Sequence, residues 1–344
     1  MHLGALRKGP RNHICDVGGI SVGNAQDEAA RTGVTVVLPE VPAIAGGEVR
    51  GGGPGTRETD LLDPSCLVDA VDAVVLSGGS SWGLEAASGV AAWLGARGRG
   101  YKVGGSPLVS PIVPSAILFD LTNGGDKNWG EEPPYRALGK VACDNAGEDL
   151  ALGNAGAGLG AAAGTYKGGL GSASIVSESG LEVAALMAAN PFGSVVIPGT
   201  DRFWAAPLEI DGEFGGRGWP AAAQGLAAFH PLAGSKAHAL AGGNTTIGVV
   251  AVNADLPPAE ARRIAIMAHD GMARAIRPVH APVDGDTIFV LATGAYPLGA
   301  APRHMALSII GALAADCVSR AIARAVYEAE TLGETYSWRE RHGR

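Results

Sequence analysis

The sequence predicts an α/β fold of stacked layers. Three observations carry that expectation. Runs of β-branched residues are mixed with amphipathic helical runs along the whole chain, and no internal repeat of about 20–50 residues appears. With 47% apolar and 17% charged residues over a length of 344, the chain can also bury a sizeable core. Its 53 glycines are dispersed among strand-like runs, which implies many tight turns and close backbone contacts.

Gly33–Leu38 reads as a strand ended by Pro39. Asp69–Leu76 is a second strand, running into Ser77-Gly78-Gly79. A helix follows from near Ser81 through Leu94, because Leu84, Ala87, Val90 and Leu94 recur at helical spacing. Ile112–Leu121 is another strand, which Pro114 marks as an edge or a bulge, and Tyr135–Cys143 is a short helix. From Ala157 to Ile175 the Gly/Ala/Ser-rich run is extended, with only weak alternation. Leu181–Ala189 and Ser194–Ile197 are strand-like and flank the turn Asn190-Pro191-Phe192-Gly193. Gly199–Gly243 shows little periodicity and reads as a long, partly mobile segment, of a length that is usually either functional or disordered. Beyond it come a strand at Thr245–Val252, a helix at Pro258–Ile276, a strand at Asp286–Ala292 and a long helix at His304–Tyr327. On that last helix Asp316, Arg320, Arg324 and Glu328 fall along one polar face.

Composition excludes several classes. The net charge is −8 and the pI about 5.5, with no basic stripe, so nucleic acid is not an expected partner. Asp316, Arg320 and Arg324 interrupt the most apolar helix, which argues against a membrane span. The first eight residues lack the apolar core of a secretion signal, and a cytoplasmic location is expected. Cys15, Cys66, Cys143 and Cys317 have no metal-ligand or redox spacing and read as buried thiols. The eight histidines are equally scattered, so no metal and no cofactor are expected. Gly156–Ala161 matches a dinucleotide fingerprint, with Glu178 at a suitable distance, but no β-branched strand precedes it. Gly164, Gly168 and Gly169 would also break the helix that fingerprint requires.

The most informative stretch is Gly242-Gly243-Asn244-Thr245-Thr246 followed by an apolar, β-branched run. It has the form of an ordinary loop-to-strand entry. It also has what a self-processing junction needs, a mobile approach and then a hydroxyl at the head of a strand. Cleavage before Thr245 would place an α-amine of pKa about 7.7–8.0 on the same residue as the Oγ nucleophile. One residue would then supply both nucleophile and base.

Five segments together resemble the L-aminopeptidase/D-esterase (DmpA-like) family, which includes β-aminopeptidases and endo-type nylon-oligomer hydrolases. They are Gly51–Asp60, Ser77–Ala87, Val113–Leu121, Gly243–Thr246 and Asp284–Thr287, in family order. The resemblance covers nearly the whole chain. It implies a four-layer αββα sandwich, shared with ornithine acetyltransferases. The single domain of residues 1–344 would be processed into an α chain of 1–244 and a β chain of 245–344. The two chains would remain associated and assemble as a homo-oligomer of the αβ unit.

By the same resemblance Thr245 is the nucleophile and Asn244 the last residue of the α chain. Self-cleavage would be an N→O acyl shift onto Thr245 Oγ followed by hydrolysis of the ester, aided by local backbone strain. Asn190 matches an oxyanion donor and Lys167 a site lysine of the nylon-hydrolase branch. Asp284 and Asp286 match the pair that orients the Thr245 amine. If their segment is extended, their side chains point to opposite faces. Phe119 takes the place of the family's usual tyrosine, so one hydroxyl donor is missing. The Gly55–Asp60 loop follows the peptidase branch, where Glu58 or Asp60 could receive a substrate ammonium, although an ion pair with Arg57 within the loop is the expected role. The implied activity is release of N-terminal residues from small peptides, amides or esters. The alternatives are endo-hydrolysis of 6-aminohexanoate oligomers, acyl transfer of the ornithine-acetyltransferase type, and an unprocessed, non-enzymatic relative.

Overall fold

The computed structural model describes residues 3–220, 230–236, 243–299 and 302–343. In chain order its first strands are β1 (Leu6–Arg7), β2 (Ile20–Asp27), β3 (Thr32–Pro39), β4 (Ala43–Val49), β5 (Thr56–Arg57), β6 (Ala70–Val71), β7 (Val74–Ser77) and β8 (Ser115–Ile117). Then come β9 (Ala162–Ala163), β10 (Tyr166–Lys167), β11 (Gly169–Ser177), β12 (Glu182–Asn190), β13 (Thr245–Ala254) and β14 (Thr287–Tyr296). The α-helices are α1 (Glu85–Gly95), α2 (Tyr135–Asp144), α3 (Pro258–Ala275), α4 (Arg303–Tyr327) and α5 (Trp338–His342).

Two sheets form the middle of the molecule. The larger has the order β1-β11-β12-β13-β14-β4-β6, and the smaller β2-β3-β7-β8-β5. Helices α3 and α4 cover the outer face of the larger sheet, while α1 and α2 cover the smaller. Each contact between layers has its own apolar core. Val250, Val252, Ile264 and Val318 lie between the larger sheet and its helices; Leu186, Val249, Val37 and Leu76 lie between the sheets; Val34, Val75, Val90 and Leu94 lie under α1 and α2. Alternation along β13 explains the arrangement, since Val250 and Val252 face one core while Ile247, Val249 and Ala251 face the other. A strand buried on both sides reads as a continuous apolar run. The expected four-layer αββα sandwich is the observed architecture.

Several local expectations need correction. Asp69–Leu76 is not one strand: Ala70–Val71 pairs with β4 in the larger sheet, and Val74–Ser77 pairs with β3 in the smaller. The chain changes sheets at Asp72, whose backbone N–H donates to Ile112 O while its Oδ2 accepts from Ile112 N. The expected Ile112–Leu121 strand shortens to β8, which lies between β7 and β5 and is therefore internal. The helix beginning near Ser81 opens as a 3-10 segment at Ser80–Leu84 before α1. Ser194–Ile197 makes only isolated bridges, through Ser194 to Arg277 and Val196 to Phe203.

The segment expected to be long and mobile divides. Residues 199–220 pack against the body, with Phe203 and Phe214 buried, whereas 221–229 and 237–242 lie outside the described residues. The polar face expected on α4 is not solvated. Arg320 is buried, pairs with Glu213 and donates to Ser174 O and Asn12 Oδ1, while Arg324 donates to Ser172 O and Asn12 O. Burial raises the Glu213 carboxyl, but the Arg320 guanidinium outweighs it and holds the group below the usual range. Cys15, Cys143 and Cys317 are buried as expected, whereas Cys66 is exposed.

Candidate active site

Strand register builds the site. β12 runs antiparallel to β13, and its last residue, Asn190, pairs with Thr245, the first residue of β13. β14 runs parallel to β13, with Thr287 opposite Ile247, so the residues leading into β14 arrive at the same end of the sheet. Three strand ends therefore bring Asn190, Thr245 and the Asp284–Asp286 loop together.

Thr245 is only 3% exposed. Its Oγ1 lies against the Asn244 carbonyl oxygen and accepts a hydrogen bond of 3.1 Å from the Gly285 N–H. A side chain on Gly285 would bring its Cβ to 2.7 Å from that hydroxyl, so only glycine fits between the two aspartates. The Gly51–Gly53 run supports the same loop: Gly53 N–H donates to Asp284 O at 2.7 Å and Gly51 N–H to Asp286 O at 3.2 Å. A Cβ on Gly51 would collide with Asp284 O and Asp286 N. Asn244 is buried, and its Oδ1 finds no hydrogen-bond partner among the described residues. The expected backbone strain has no counterpart in left-handed φ angles at Asn244 or Thr245; the non-glycine residues with positive φ include His280.

Asp284 and Asp286 are both buried, in the irregular segment between the turn at Pro282–Val283 and β14. Asp284 accepts from Phe192 N–H at 3.0 Å and Ala281 N–H at 3.2 Å. Asp286 accepts from Thr246 N–H at 2.8 Å and contacts His280 Nδ1 at 2.8 Å. Burial, reinforced by the charge of Asp286, raises Asp284 to about 6, against the pull of the two N–H donors and Lys236.

Asn190 is fully engaged on its oxygen side. Oδ1 accepts from Ala162 N–H and from Lys236 Nζ, each at 2.9 Å, while Nδ2 donates to Phe119 O at 3.0 Å. Lys167, expected from the resemblance, is fully buried and donates to Gly158 O at 3.1 Å and Gly168 O at 2.8 Å. Burial lowers its ammonium to about 7, opposed by Asp120 and assisted by Lys236. Asp120 is itself buried, held by Thr32 Oγ1 at 2.6 Å and Gly79 N–H at 2.8 Å, and burial raises its carboxyl.

A cavity of about 410 Å³ adjoins these groups, its wall including Phe119, Asp120, Lys167, Asn190, Lys236 and Gly243. Thr245 is not on that wall, and its hydroxyl is buried beside the Asn244 carbonyl. Lys167 and Asn190 thus face the cavity, whereas Thr245, Asp284 and Asp286 form a buried cluster beside it. Arg57 does not make the expected loop ion pair; it donates to Ser88 Oγ, and Glu58 accepts from Val113 N–H. Gly156–Ala161 carries a 3-10 turn at Gly156–Gly158 in place of a dinucleotide-binding helix.

Sequence reasoning did not single out Lys236, His280 or Asp120 as site residues. His280 carries a weak signal, its short spacing from Asp286, and Asp120 lies within a recognised motif. Lys236 carries none, because its segment has no period.

A model described as peptidase family S58 matches residues 12–337. An uncharacterized aminopeptidase of Mycobacterium tuberculosis is 45% identical over 345 residues, covering 96% of this chain and 97% of the relative. A 6-aminohexanoate-oligomer endohydrolase of Kocuria is 30% identical over 295 residues, covering 83% and 76% respectively. Among solved structures, an L-aminopeptidase D-Ala-esterase/amidase from Ochrobactrum anthropi superposes with a TM-score of 0.70 at 23% identity, covering 97% of this chain and 90% of that one. A Burkholderia β-aminopeptidase gives 0.69 at 21%, covering 98% and 92%. The structural likenesses establish a shared fold, of the kind described for the Ochrobactrum protein as a variant of the Ntn-hydrolase fold. With a family match across nearly its whole length and a sandwich of the same fold, the chain belongs to peptidase family S58 and is a hydrolase of peptide and amide bonds.

Proposed function

We propose that this protein is a self-processing N-terminal-threonine amidohydrolase that releases N-terminal residues from small peptides, amides or esters. The observation that carries the reading is the placement of Thr245. Its hydroxyl lies against the Asn244 carbonyl, hydrogen-bonded to Gly285 N–H, at a strand head opposite Asn190. In the acyl shift, Thr245 Oγ forms a bond to the Asn244 carbonyl carbon and the peptide C–N bond breaks. The proton passes to the departing nitrogen, which becomes the Thr245 α-amine. Water then hydrolyses the ester and frees the Asn244 carboxylate.

In turnover the same Oγ attacks the substrate carbonyl while the α-amine takes its proton and returns it to the leaving amine or alcohol; water then hydrolyses the acyl-enzyme ester and restores the Thr245 hydroxyl. Asn190 supplies a donor to the developing oxyanion. Asp284, Asp286 and Lys167 set the charge around the amine.

The fragments would stay associated because β13 pairs with β12 and β14 with β4, so the two β-chain strands lie between α-chain strands of one sheet. We also propose a cytoplasmic location, and a homo-oligomer of the cleaved unit as the family resemblance implies. The aminopeptidase relatives at 45% identity favour exo-cleavage. A second reading, endo-hydrolysis of 6-aminohexanoate oligomers, draws on the Asp284–Asp286 pair, Lys167 and the relatives so named. Comparing release from amino-acid amides with cleavage of the oligomers separates the two. An added amine acceptor reveals any acyl transfer.

The decisive experiment is N-terminal sequencing of the smaller fragment of purified protein. A start at Thr245 is expected. Full activity from a single uncut chain would overturn the reading.

A further inference from the structure

We infer that Lys236 is a positioning residue that acts through the side-chain amide of Asn190, fixing it as an oxyanion donor; the inference rests on the threonine-amidohydrolase reading above. Lys236 Nζ donates to Asn190 Oδ1 at 2.9 Å and to the Asn190 carbonyl at 3.2 Å. The lysine is itself tied down, its backbone N–H donating to Phe192 O at 2.9 Å.

An amide oxygen has two lone pairs and an amide nitrogen two hydrogens. Here Ala162 N–H and Lys236 take both acceptor positions, and Phe119 O takes one hydrogen. The remaining N–H is the amide's unassigned group, at the end of β12 that pairs with Thr245. Flipping the amide would set its NH₂ against an ammonium and a peptide N–H, and its oxygen against the Phe119 carbonyl. The orientation is therefore dictated by its partners.

A cation on Oδ1 also polarises the amide, which strengthens the N–H as a donor to a developing negative charge. The charged groups facing the ammonium are Asp284, of opposite sign, and Lys167, of like sign, with Asp120 beyond Lys167. Although the residue is half-exposed as a whole, burial of its ammonium end lowers Lys236 to about 7, opposed by Asp284. Its charge consequently changes near neutral pH.

The test compares Lys236→Met and Lys236→Arg with wild type over pH 6–9, following self-cleavage, kcat and KM. Lys236→Met should lower kcat by about tenfold to a hundredfold, less than deleting the amide itself, with little change in KM. Lys236→Arg should recover most of that loss. The advantage of wild type over the Met variant should shrink as pH rises through about 7, as the ammonium is lost. The advantage of the Arg variant should persist, because a guanidinium stays charged.

If the Met variant stalls before cleavage, the cleavage rate becomes the readout, with the same pattern expected; if it does not fold, Lys236→Gln replaces it. An unchanged kcat, a loss shared equally by the Arg variant, or a faster Met variant would each overturn the inference. Absence of a fragment starting at Thr245 in wild-type protein would instead sink the wider reading.

Discussion

Asn190 and Thr245 are the closing pair of the β12–β13 ladder, each at the very end of its strand. Antiparallel pairing sets the residue that carries the amide opposite the residue that carries the hydroxyl. Positions on rigid strands hold reacting groups more closely than loop positions do. The pair also explains why the acid loop joins them, since β14 enters parallel to β13 from the same end.

Thr245→Ala removes the only side-chain oxygen on the residue at that strand head. The variant should fold, stay as one chain and show no turnover above background. A denaturing gel and an amide-hydrolysis assay check both outcomes together.

Asn190→Ala tests the other member. Loss of one oxyanion donor typically costs about 10²–10³ in kcat, or roughly 2.7–4 kcal/mol. The variant should keep its circular dichroism spectrum while kcat falls by that order. A change confined to KM would assign Asn190 to ground-state binding instead.

The fold was largely legible because its signals are local. β13 and β14 read as apolar β-branched runs, and α3 and α4 as periodic helices, within a few residues of their true ends. The Ala70–Ser77 run deceived for a physical reason: both halves have the same strand-like composition, and nothing in it marks the change of sheet at Asp72. Arg320 and Arg324 deceived similarly, because helical spacing does not reveal that Glu213 waits on a distant segment. At the candidate site, Thr245, Asn190 and the Asp284–Asp286 loop are legible as candidates through motif resemblance. Lys236 is not, since its contact with Asn190 depends wholly on tertiary packing.

Protonation of buried groups should leave a mark on stability. Asp284 is raised to about 6, whereas an unfolded carboxyl titrates near 3.9. Between those values the folded state holds a proton that the unfolded state has released, so this group makes stability fall as pH rises through the window. Lys167, lowered to about 7 from near 10.4, acts oppositely. From about 7 to about 10 the unfolded state binds more protons, and stability from this group rises with pH. Urea midpoints should show Asp284→Asn flattening the first window and Lys167→Met the second.

Away from the site, Glu213→Ala should be among the most destabilising single changes. It strands Arg320, whose side chain is 1% exposed, without its partner at 2.5 Å. Removing one member of a buried ion pair costs about 3–5 kcal/mol. Urea titration of the uncleaved Thr245→Ala background would measure it free of processing. A loss under about 1 kcal/mol would mean that water or a neighbouring group replaces the carboxylate.

The passage of one strand-like run through both sheets has a mechanical consequence. With Ala70–Val71 paired into one sheet and Val74–Ser77 into the other, a two-residue crossing ties the two layers together. The larger sheet carries Asn190 and Thr245, whereas Phe119 and Asp120 stand just beyond β8 of the smaller one. The cavity lined by Phe119, Asp120 and Asn190 thus draws its wall from two layers that the crossing at Asp72 ties together.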